Sequence, residues 1–137
     1  MSGLMTISEL TRAVAALQAH GDGRIAFSSV STDTRTLQPG ACWVALKGER
    51  FDANAFAAQA ASAGAGVLMV EKLDGPVPEG VTVIQVQDGL LALQKLSHWH
   101  RQRLELEVVG ITGSNGKTST KDFTRTVLGT HFETLAT

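Results

Sequence analysis

The sequence predicts an α/β fold. It should form a small N-terminal α/β domain, followed by the first strand, glycine-rich loop and helix of a parallel-sheet nucleotide-binding domain. Short apolar runs alternate with helix-forming segments over residues 24–103, an order typical of α/β proteins. Residues 67–70 are all apolar, as expected of a strand buried on both faces of a parallel sheet. A glycine-rich turn at 110–118 stands between an apolar run and a helix-forming stretch, the layout of a phosphate-binding P-loop.

Length and composition describe one globular chain. Of its 137 residues, 43% are hydrophobic and 18% charged, and the net charge of −1 gives no reason to expect nucleic acid or an anionic membrane as a partner. The single cysteine, Cys42, excludes an internal disulfide and lies in an apolar run, so we expect a buried thiol. We find neither a signal-peptide pattern nor a bilayer-spanning apolar stretch. We therefore expect a cytoplasmic protein, and we expect it to be a monomer.

The first third of the chain predicts a capped helix and then an extended run. Thr6 and Glu9 have the spacing of a capping box. Apolar residues recur at three- and four-residue steps, which predicts an amphipathic helix over residues 7–19. Residues 21–23 should end it. A strand is predicted around 25–30, and the polar residues 31–35 then predict a loop.

The middle of the chain predicts three further strands and two helices. Strands are predicted over 41–46, 67–70 and 81–86. Asp52 can cap a helix over 53–63, and Asp88 can cap one that ends near Arg103. The apolar side of the second helix is predicted to hold Leu90, Leu91, Leu93 and Leu96. We predict a substrate domain over 1–86, and over 87–137 a linker helix with the start of a central ATP-binding domain.

The glycine-rich turn carries the strongest chemical signal. It should link a strand over 108–112 to a helix over 119–128, and 132–137 predicts the start of another strand. The strict G-x-x-x-x-G-K-[ST] pattern fails by one residue, because Ile111 stands five places before Gly116. An ordinary polar turn before Lys-Thr is the alternative interpretation.

As a P-loop, the turn predicts a nucleotide site. The glycines let backbone amides point at phosphate oxygens. Lys117 would reach the β- and γ-phosphates of ATP, and the Thr118 hydroxyl would bind Mg²⁺. These two are the candidate catalytic residues. The predicted ATP-binding residues are Gly113, Ser114, Asn115, Gly116, Lys117, Thr118 and Ser119.

Three stretches, at 31–35, 39–52 and 110–118, resemble the Mur ligase family of peptidoglycan synthesis in their residues, order and spacing. The resemblance covers essentially the whole chain, and the family uses this off-register P-loop. It implies a three-domain ligase whose first domain binds the UDP part of the substrate. The central domain would bind ATP and Mg²⁺, and a third would help to bind the amino component. No later acidic residue on a strand end completes a Mg²⁺ shell, so we expect a segment of a longer protein, inactive alone.

The resemblance also implies a substrate-binding set. It consists of Ser31, Thr32, Asp33, Arg35, Lys47, Gly48 and Phe51. Asp33 should orient Arg35 or its own loop's amides rather than contact a diphosphate. Phe51 could either pack against uracil or anchor its loop. The chain departs from the family at Asn54, where His is frequent, and at Trp43, an aromatic swap for Phe that we expect in the core.

The implied reaction activates a carboxylate with ATP as an acyl phosphate, which an amine then attacks. Residues 47–52 favour family members that join D-alanyl-D-alanine to UDP-N-acetylmuramoyl-tripeptide. Two alternatives stay open: the members that add the third residue of the stem peptide, and a non-catalytic UDP-binding or P-loop module. His98 and His100 stand two apart on a predicted helix, so they should face different directions and hold no metal together.

Overall fold

The computed structural model describes residues 4–76 and 78–137, and the chain divides into two compact units between Leu104 and Glu105. The strands are Met5–Thr6 (β1), Gln18–His20 (β2), Ala26–Phe27 (β3), Val30–Ser31 (β4), Cys42–Val44 (β5), Val67–Val70 (β6) and Thr82–Gln85 (β7). The helices are Ile7–Val14 (α1), Ala57–Ser62 (α2), Gly89–Gln102 (α3) and Lys117–Leu128 (α4), and a 3₁₀ turn, Ala53–Phe56, leads into α2.

The first unit is built on a five-stranded sheet with the strand order β2-β7-β6-β5-β4. Strands β4 to β7 run parallel, whereas β2 pairs antiparallel with β7. A separate antiparallel pair joins β1 to β3. The predicted α/β class is confirmed. Because four neighbouring strands are parallel, the loops that follow them lie at one edge of the sheet, the carboxyl edge.

Apolar side chains cover both faces of this sheet. Helices α1 and α3 pack on one face, and α2 packs on the other. All four residues of β6 are buried, as predicted. The predicted core positions are confirmed: Trp43 is 1% exposed, and burial raises the pKa of the Cys42 thiol to about 12. A thiol held neutral in this way is not a nucleophile at neutral pH.

The prediction of a helix over 7–19 is right at its start and wrong at its end. The capping box is present, since Thr6 Oγ1 accepts from the Glu9 N–H and the Glu9 carboxylate accepts from the Thr6 N–H. The helix ends at Val14 because Ala15 takes a left-handed conformation with φ 54°. Residues 18–20 then pair with β7. Long-range strand pairing therefore overrides the helical pattern of this stretch.

Two other predicted elements differ in detail. The strand predicted around 25–30 is two short strands, β3 and β4, which belong to different sheets. The apolar side predicted for α3 is wrong in part, because Leu90 and Leu91 are 54% and 47% exposed. Its buried positions are Gly89, Ala92 and Leu96. Ala92 and Leu96 pack into the core on the α1 side of the sheet, so the position of the sheet sets which face of α3 is covered.

The second unit holds one regular element, helix α4. The strands predicted at 108–112 and 132–137 do not form in the described structure. Val108 and Val109 are 62% and 63% exposed, and a strand needs a partner for its backbone groups. The division after Leu104 lies one helix beyond the predicted boundary at residue 86, because α3 packs with α1 in the first unit. None of the described helices has the length and apolar character needed to cross a membrane.

Candidate functional site

The loop after β4 presents an ordered ion pair. The Arg35 side chain donates to Asp33 through Nε, at 2.9 Å from Oδ1, and through Nη2, at 2.7 Å from Oδ2. The Arg35 backbone N–H also donates to Asp33 Oδ1, at 2.9 Å. These contacts agree with the prediction that Asp33 orients Arg35 or its own loop's amides, and its lack of contact with a diphosphate stays a prediction. The Arg35 side chain stays 84% exposed, so it can bind a further anion.

The start of this loop is fixed by Ser31. Its Oγ accepts from the Asp33 N–H at 3.1 Å, and its hydroxyl donates to the Asp33 carbonyl at 3.0 Å. Thr32, between them, is exposed. Ser31 pairs with Trp43 in the parallel register of β4 and β5. The loops that follow these two strands are therefore neighbours at the carboxyl edge.

The loop after β5 is a tight hairpin. Lys47 forms an antiparallel bridge with Asp52, and the Gly48 N–H donates to the Phe51 carbonyl at 2.7 Å. A Cβ at Gly48 would meet only that carbonyl oxygen, at 3.7 Å, so the hairpin itself does not require glycine there. Lys47 makes no ion pair with any residue of 4–76 or 78–137. Its ammonium is therefore available at the carboxyl edge.

Phe51 lies on top of Phe56. The ring centroids are 5.2 Å apart and the planes meet at 27°. This stack anchors the hairpin to the 3₁₀ turn, one of the two roles considered for Phe51. The ring is still 58% exposed, and packing against uracil stays a prediction.

Asn54, where the family often has His, is a buried structural contact. It is 2% exposed, and its Nδ2 donates to Asp52 Oδ1 at 2.7 Å. Its Oδ1 accepts from the Glu71 N–H at 2.8 Å. Both ends of the amide are used inside the protein, so this side chain ties the hairpin to the end of β6.

Sequence reasoning missed one cation at this edge, Lys72. It follows β6, the strand next to β5, and its Nζ lies 3.5 Å from Asp74. Hydrogen bonds from the Asn54 side chain and backbone hold the pKa of Asp52 below its usual range, with smaller contributions from the charges of Lys72 and Lys47. The sequence held a signal for Lys72, because residues that follow neighbouring parallel strands lie at the same edge of the sheet.

The P-loop residues form the start of α4 in the second unit. Gly113 and Gly116 have φ values of 154° and 73°, conformations that favour glycine. Gly116 is the N-cap, and no described side chain caps this helix. Its first amides therefore point outward without intrahelical partners, as phosphate binding requires. The Lys117 ammonium donates to the Gly113 carbonyl, so it already lies over the loop.

These residues fit ATP with Mg²⁺. The loop offers free amides, a lysine, and the exposed side chains of Ser114, Asn115, Thr118 and Ser119. Within the described residues there is no group of three or more His, Cys, Asp or Glu side chains that could hold a metal by itself. Of the described P-loop residues, Thr118 offers the hydroxyl that would bind Mg²⁺ beside the nucleotide's phosphates. The two candidate sites belong to separate units.

Curated relatives match almost the whole chain. UDP-N-acetylmuramoyl-tripeptide--D-alanyl-D-alanine ligase of Escherichia coli (strain K12) is 44% identical over 134 residues, which are 97% of this chain and 28% of that protein. The ligase of the same name from Bacillus subtilis (strain 168) is 46% identical over 103 residues, 75% of this chain and 22% of that protein. The chain thus spans about a quarter of the length of these relatives. No protein-family model matches the chain.

A relative with another acceptor is also similar. UDP-N-acetylmuramoyl-L-alanyl-D-glutamate--2,6-diaminopimelate ligase of Bacteroides thetaiotaomicron is 32% identical over 117 residues, 84% of this chain and 24% of that protein. Its identity is lower than that of the two D-alanyl-D-alanine ligases. The alternative that adds the third stem-peptide residue is therefore less well supported.

Solved structures agree with the sequence matches. A crystal structure of MurF from Acinetobacter baumannii superposes with a TM-score of 0.81 at 35% identity, covering 95% of this chain and 28% of that one. MurF ligase from Thermotoga maritima in complex with ADP gives 0.66 at 28% identity, covering 75% and 23%. In sequence and in fold, the chain belongs to the Mur ligase family and is of the MurF type.

Proposed function

We propose that this chain is the UDP-binding part, with the beginning of the ATP-binding part, of a ligase that joins D-alanyl-D-alanine to UDP-N-acetylmuramoyl-tripeptide. The observation that carries the proposal is the carboxyl edge of the sheet. There the loops after β4 and β5 lie side by side and present Arg35 and Lys47, in a chain of the MurF type.

At this edge, the residues match the chemistry of a nucleoside diphosphate. The Arg35 guanidinium, held by Asp33, has donors left for a phosphate oxygen, and a charge-assisted hydrogen bond to phosphate is among the strong ones. The Lys47 ammonium adds a second positive charge on the neighbouring loop. Thr32 offers a hydroxyl, Gly48 lets the backbone approach the ligand, and the free face of Phe51 can cover the base.

At the P-loop, the chain's residues neutralise charge on a triphosphate. Bound ATP supplies the phosphoryl group that activates the carboxylate of the substrate. The α4 amides and the Lys117 ammonium would hold the phosphate oxygens, and the Thr118 hydroxyl would be a ligand of Mg²⁺, which would neutralise phosphate charge. A carboxylate oxygen would bond to phosphorus as ADP leaves. The amine of D-alanyl-D-alanine would then bond to the acyl carbon as phosphate leaves and the amine nitrogen releases a proton. The alternative interpretation is an ordinary polar turn that binds no ligand. It is less consistent with the N-terminus of α4, which no described side chain caps.

The cellular setting belongs to the same proposal. Such a ligase works in peptidoglycan synthesis, on which cell shape and cell division depend. We propose that it acts in the cytoplasm as a monomer, on small-molecule substrates and without nucleic acid or membrane as a partner.

The first test is an amide-resolved NMR titration of the 137-residue chain with UDP and, separately, with Mg-ATP. We expect UDP to shift amides of residues 31–35 and 47–52, with little response to Mg-ATP because residues 108–112 form no strand to hold the P-loop. Tight ATP binding at 113–118 with no response to UDP would instead favour a self-sufficient P-loop module. An Arg35→Gln variant should weaken UDP binding, whereas Arg24→Gln, on the turn before β3 where Arg24 pairs with Asp22, should leave it unchanged.

A second test separates the two ligases, because a diaminopimelate ligase is also similar to this chain. The complete protein is assayed for phosphate release with UDP-N-acetylmuramoyl-tripeptide and D-alanyl-D-alanine. The same assay is run with the UDP-N-acetylmuramoyl-dipeptide and diaminopimelate. We expect release only with the first pair, and release only with the second would establish the alternative.

A further inference from the structure

The hairpin after β5 places Lys47 opposite a carboxylate with which it does not pair. Lys47 and Asp52 face each other in an antiparallel bridge. Opposite charges at directly opposed positions, with Cβ atoms about 5 Å apart, are favourably placed for an ion pair. Within the described residues no ion pair joins these two side chains, and Lys47 is exposed. Another contact therefore holds the Asp52 carboxylate away from the ammonium.

Asn54 supplies this contact. Its backbone N–H and its Nδ2 both donate to Asp52 Oδ1, at 2.9 and 2.7 Å. Both donors belong to the 3₁₀ turn, so the carboxylate is drawn towards that turn rather than across the hairpin. The same two hydrogen bonds are the main cause of the lowered pKa of Asp52, ahead of the charges of Lys72 and Lys47. The Asp52 carboxylate is thus satisfied mainly by Asn54.

The position of Asn54 is fixed by the sheet and not by the hairpin. The side chain is 2% exposed, and its Oδ1 accepts from the Glu71 N–H at 2.8 Å. Glu71 is held by two further contacts, since its carbonyl accepts from Gln85 Nε2 and its Oε1 accepts from the Gly89 N–H, both at 3.0 Å. Turning the Asn54 amide away would leave buried polar groups without partners, which is costly.

We propose that Asn54 is a positioning residue of the UDP site: it holds the Asp52 carboxylate in the turn and so leaves the Lys47 ammonium free for the diphosphate. The inference rests on the proposed UDP-binding function and names a residue that acts through two others. Lys72, the other cation near Asp52, lies 3.5 Å from Asp74 and has a partner of its own. A lysine kept free needs no carboxylate to be displaced before it binds phosphate, which is a form of preorganisation.

The test measures the Kd of UDP and of uridine by NMR titration of the 137-residue chain. We expect Asn54→Ala to weaken UDP binding about two- to five-fold, the size of one exposed ion pair, because the Asp52 carboxylate then competes for Lys47. Uridine has no phosphate, so its Kd should stay the same. As a control, Gln85→Ala removes another hydrogen bond to Glu71 and should leave both Kd values unchanged.

A double-mutant cycle separates this role from a purely structural one. In the Asp52→Asn background no carboxylate can compete for Lys47, and the side-chain oxygen at that position can still cap the turn. There Asn54→Ala should leave the Kd of UDP unchanged. With Asn54 in place, Lys47→Gln should weaken UDP binding equally, within about two-fold, with and without Asp52→Asn. This last comparison does not need Asn54→Ala to fold.

Four results would overturn the proposal. They are an unchanged Kd of UDP in Asn54→Ala, equal weakening of UDP and uridine in that variant, weakening that persists in the Asp52→Asn background, and a Lys47→Gln effect that depends on Asp52. Any of these in a parent chain that binds UDP removes the role of Asn54 and leaves the proposed function standing. A parent chain that does not bind UDP would overturn the proposed function, and this inference with it.

Discussion

Asp33 is the residue on which the order of the loop after β4 depends. Hydrogen bonds from the Arg35 side chain and backbone lower its pKa from 3.8 to about 2. The stabilisation from this pair is therefore fully present above the ordinary pKa of 3.8 and is lost as the pH falls through about 2. Both groups are exposed, so the effect on stability is screened and small. Its main consequence is a fixed direction for the Arg35 guanidinium.

We predict that the Asp33 side-chain carboxyl carbon titrates with a midpoint of about 2 in an NMR pH series. In Arg35→Gln the midpoint should move up towards the ordinary value for aspartate, because the main hydrogen-bond donor is gone. Arg24→Gln, which removes the similar partner of Asp22, should leave Asp33 unaffected. An ordinary midpoint in the parent chain would show that Asp33 does not hold Arg35 in solution.

Asn54 gives a prediction on stability. Asn54→Ala removes a buried amide that accepts from the part-buried Glu71 N–H and leaves that N–H without this partner. Such a change costs about 1–3 kcal/mol in the free energy of unfolding, which urea denaturation of the first unit can measure. Gln59→Ala, on the exposed side of α2, should change it by less than about 0.5 kcal/mol. Equal stability of the two variants would mean that the Asn54 contacts do not form.

At the scale of elements, the start of α3 depends on a close approach to the sheet. Gly89 donates to Glu71 Oε1 at 3.0 Å, and the Leu91 N–H donates to Asp88 Oδ1 at 2.8 Å. The helix N-terminus is thus occupied by the chain's own carboxylates. A Cβ at Gly89 would overlap the Ala45 carbonyl oxygen. Glycine is needed here for space, not for an unusual φ.

Gly89→Ala should therefore destabilise the first unit, although alanine stabilises an ordinary helix interior by about 1 kcal/mol relative to glycine. We expect a loss of about 1–3 kcal/mol, as for overpacked cores, measured by chemical denaturation. Ser97→Ala, on the exposed side of the same helix, serves as the control and should change stability little. A gain in stability for Gly89→Ala would show that α3 starts further from β5 than described.

At the scale of the whole molecule, the two units differ in how much of their apolar surface is covered. The first contains the whole sheet and both apolar clusters. In the second, α4 has no buried residue, and Phe123 and Val127 are 74% and 68% exposed. Buried apolar contacts are the main protection against local opening. The second unit should therefore be the less protected of the two.

We predict fast amide hydrogen exchange at residues 108–112 and slow exchange at 67–70. The first stretch forms no strand, whereas β6 pairs with strands on both sides and is fully buried. Mass-spectrometric or NMR exchange on the 137-residue chain measures both segments together. Comparable protection of the two segments would contradict this account of the second unit.

Local signals in the sequence determined much of this protein. The capping box at Thr6, the caps at Asp52 and Asp88, and the apolar run at 67–70 are contacts between near neighbours or simple burial, so the residues alone predict them. The Asp33–Arg35 pair is also a contact between near neighbours, and it was one of two roles considered for Asp33. The glycines of the P-loop predicted a tight turn, and Gly113 and Gly116 do have positive φ values.

Only the tertiary structure decided which segments pair across the chain. Residues 18–20 become a strand because β7 offers a partner, and residues 108–112 remain without one. Lys72 reaches the carboxyl edge because β6 lies beside β5, and Leu90 and Leu91 are exposed because of where the sheet meets α3. The physical reason is common to all four. Strand pairing and burial depend on groups far apart in sequence, which no local pattern contains.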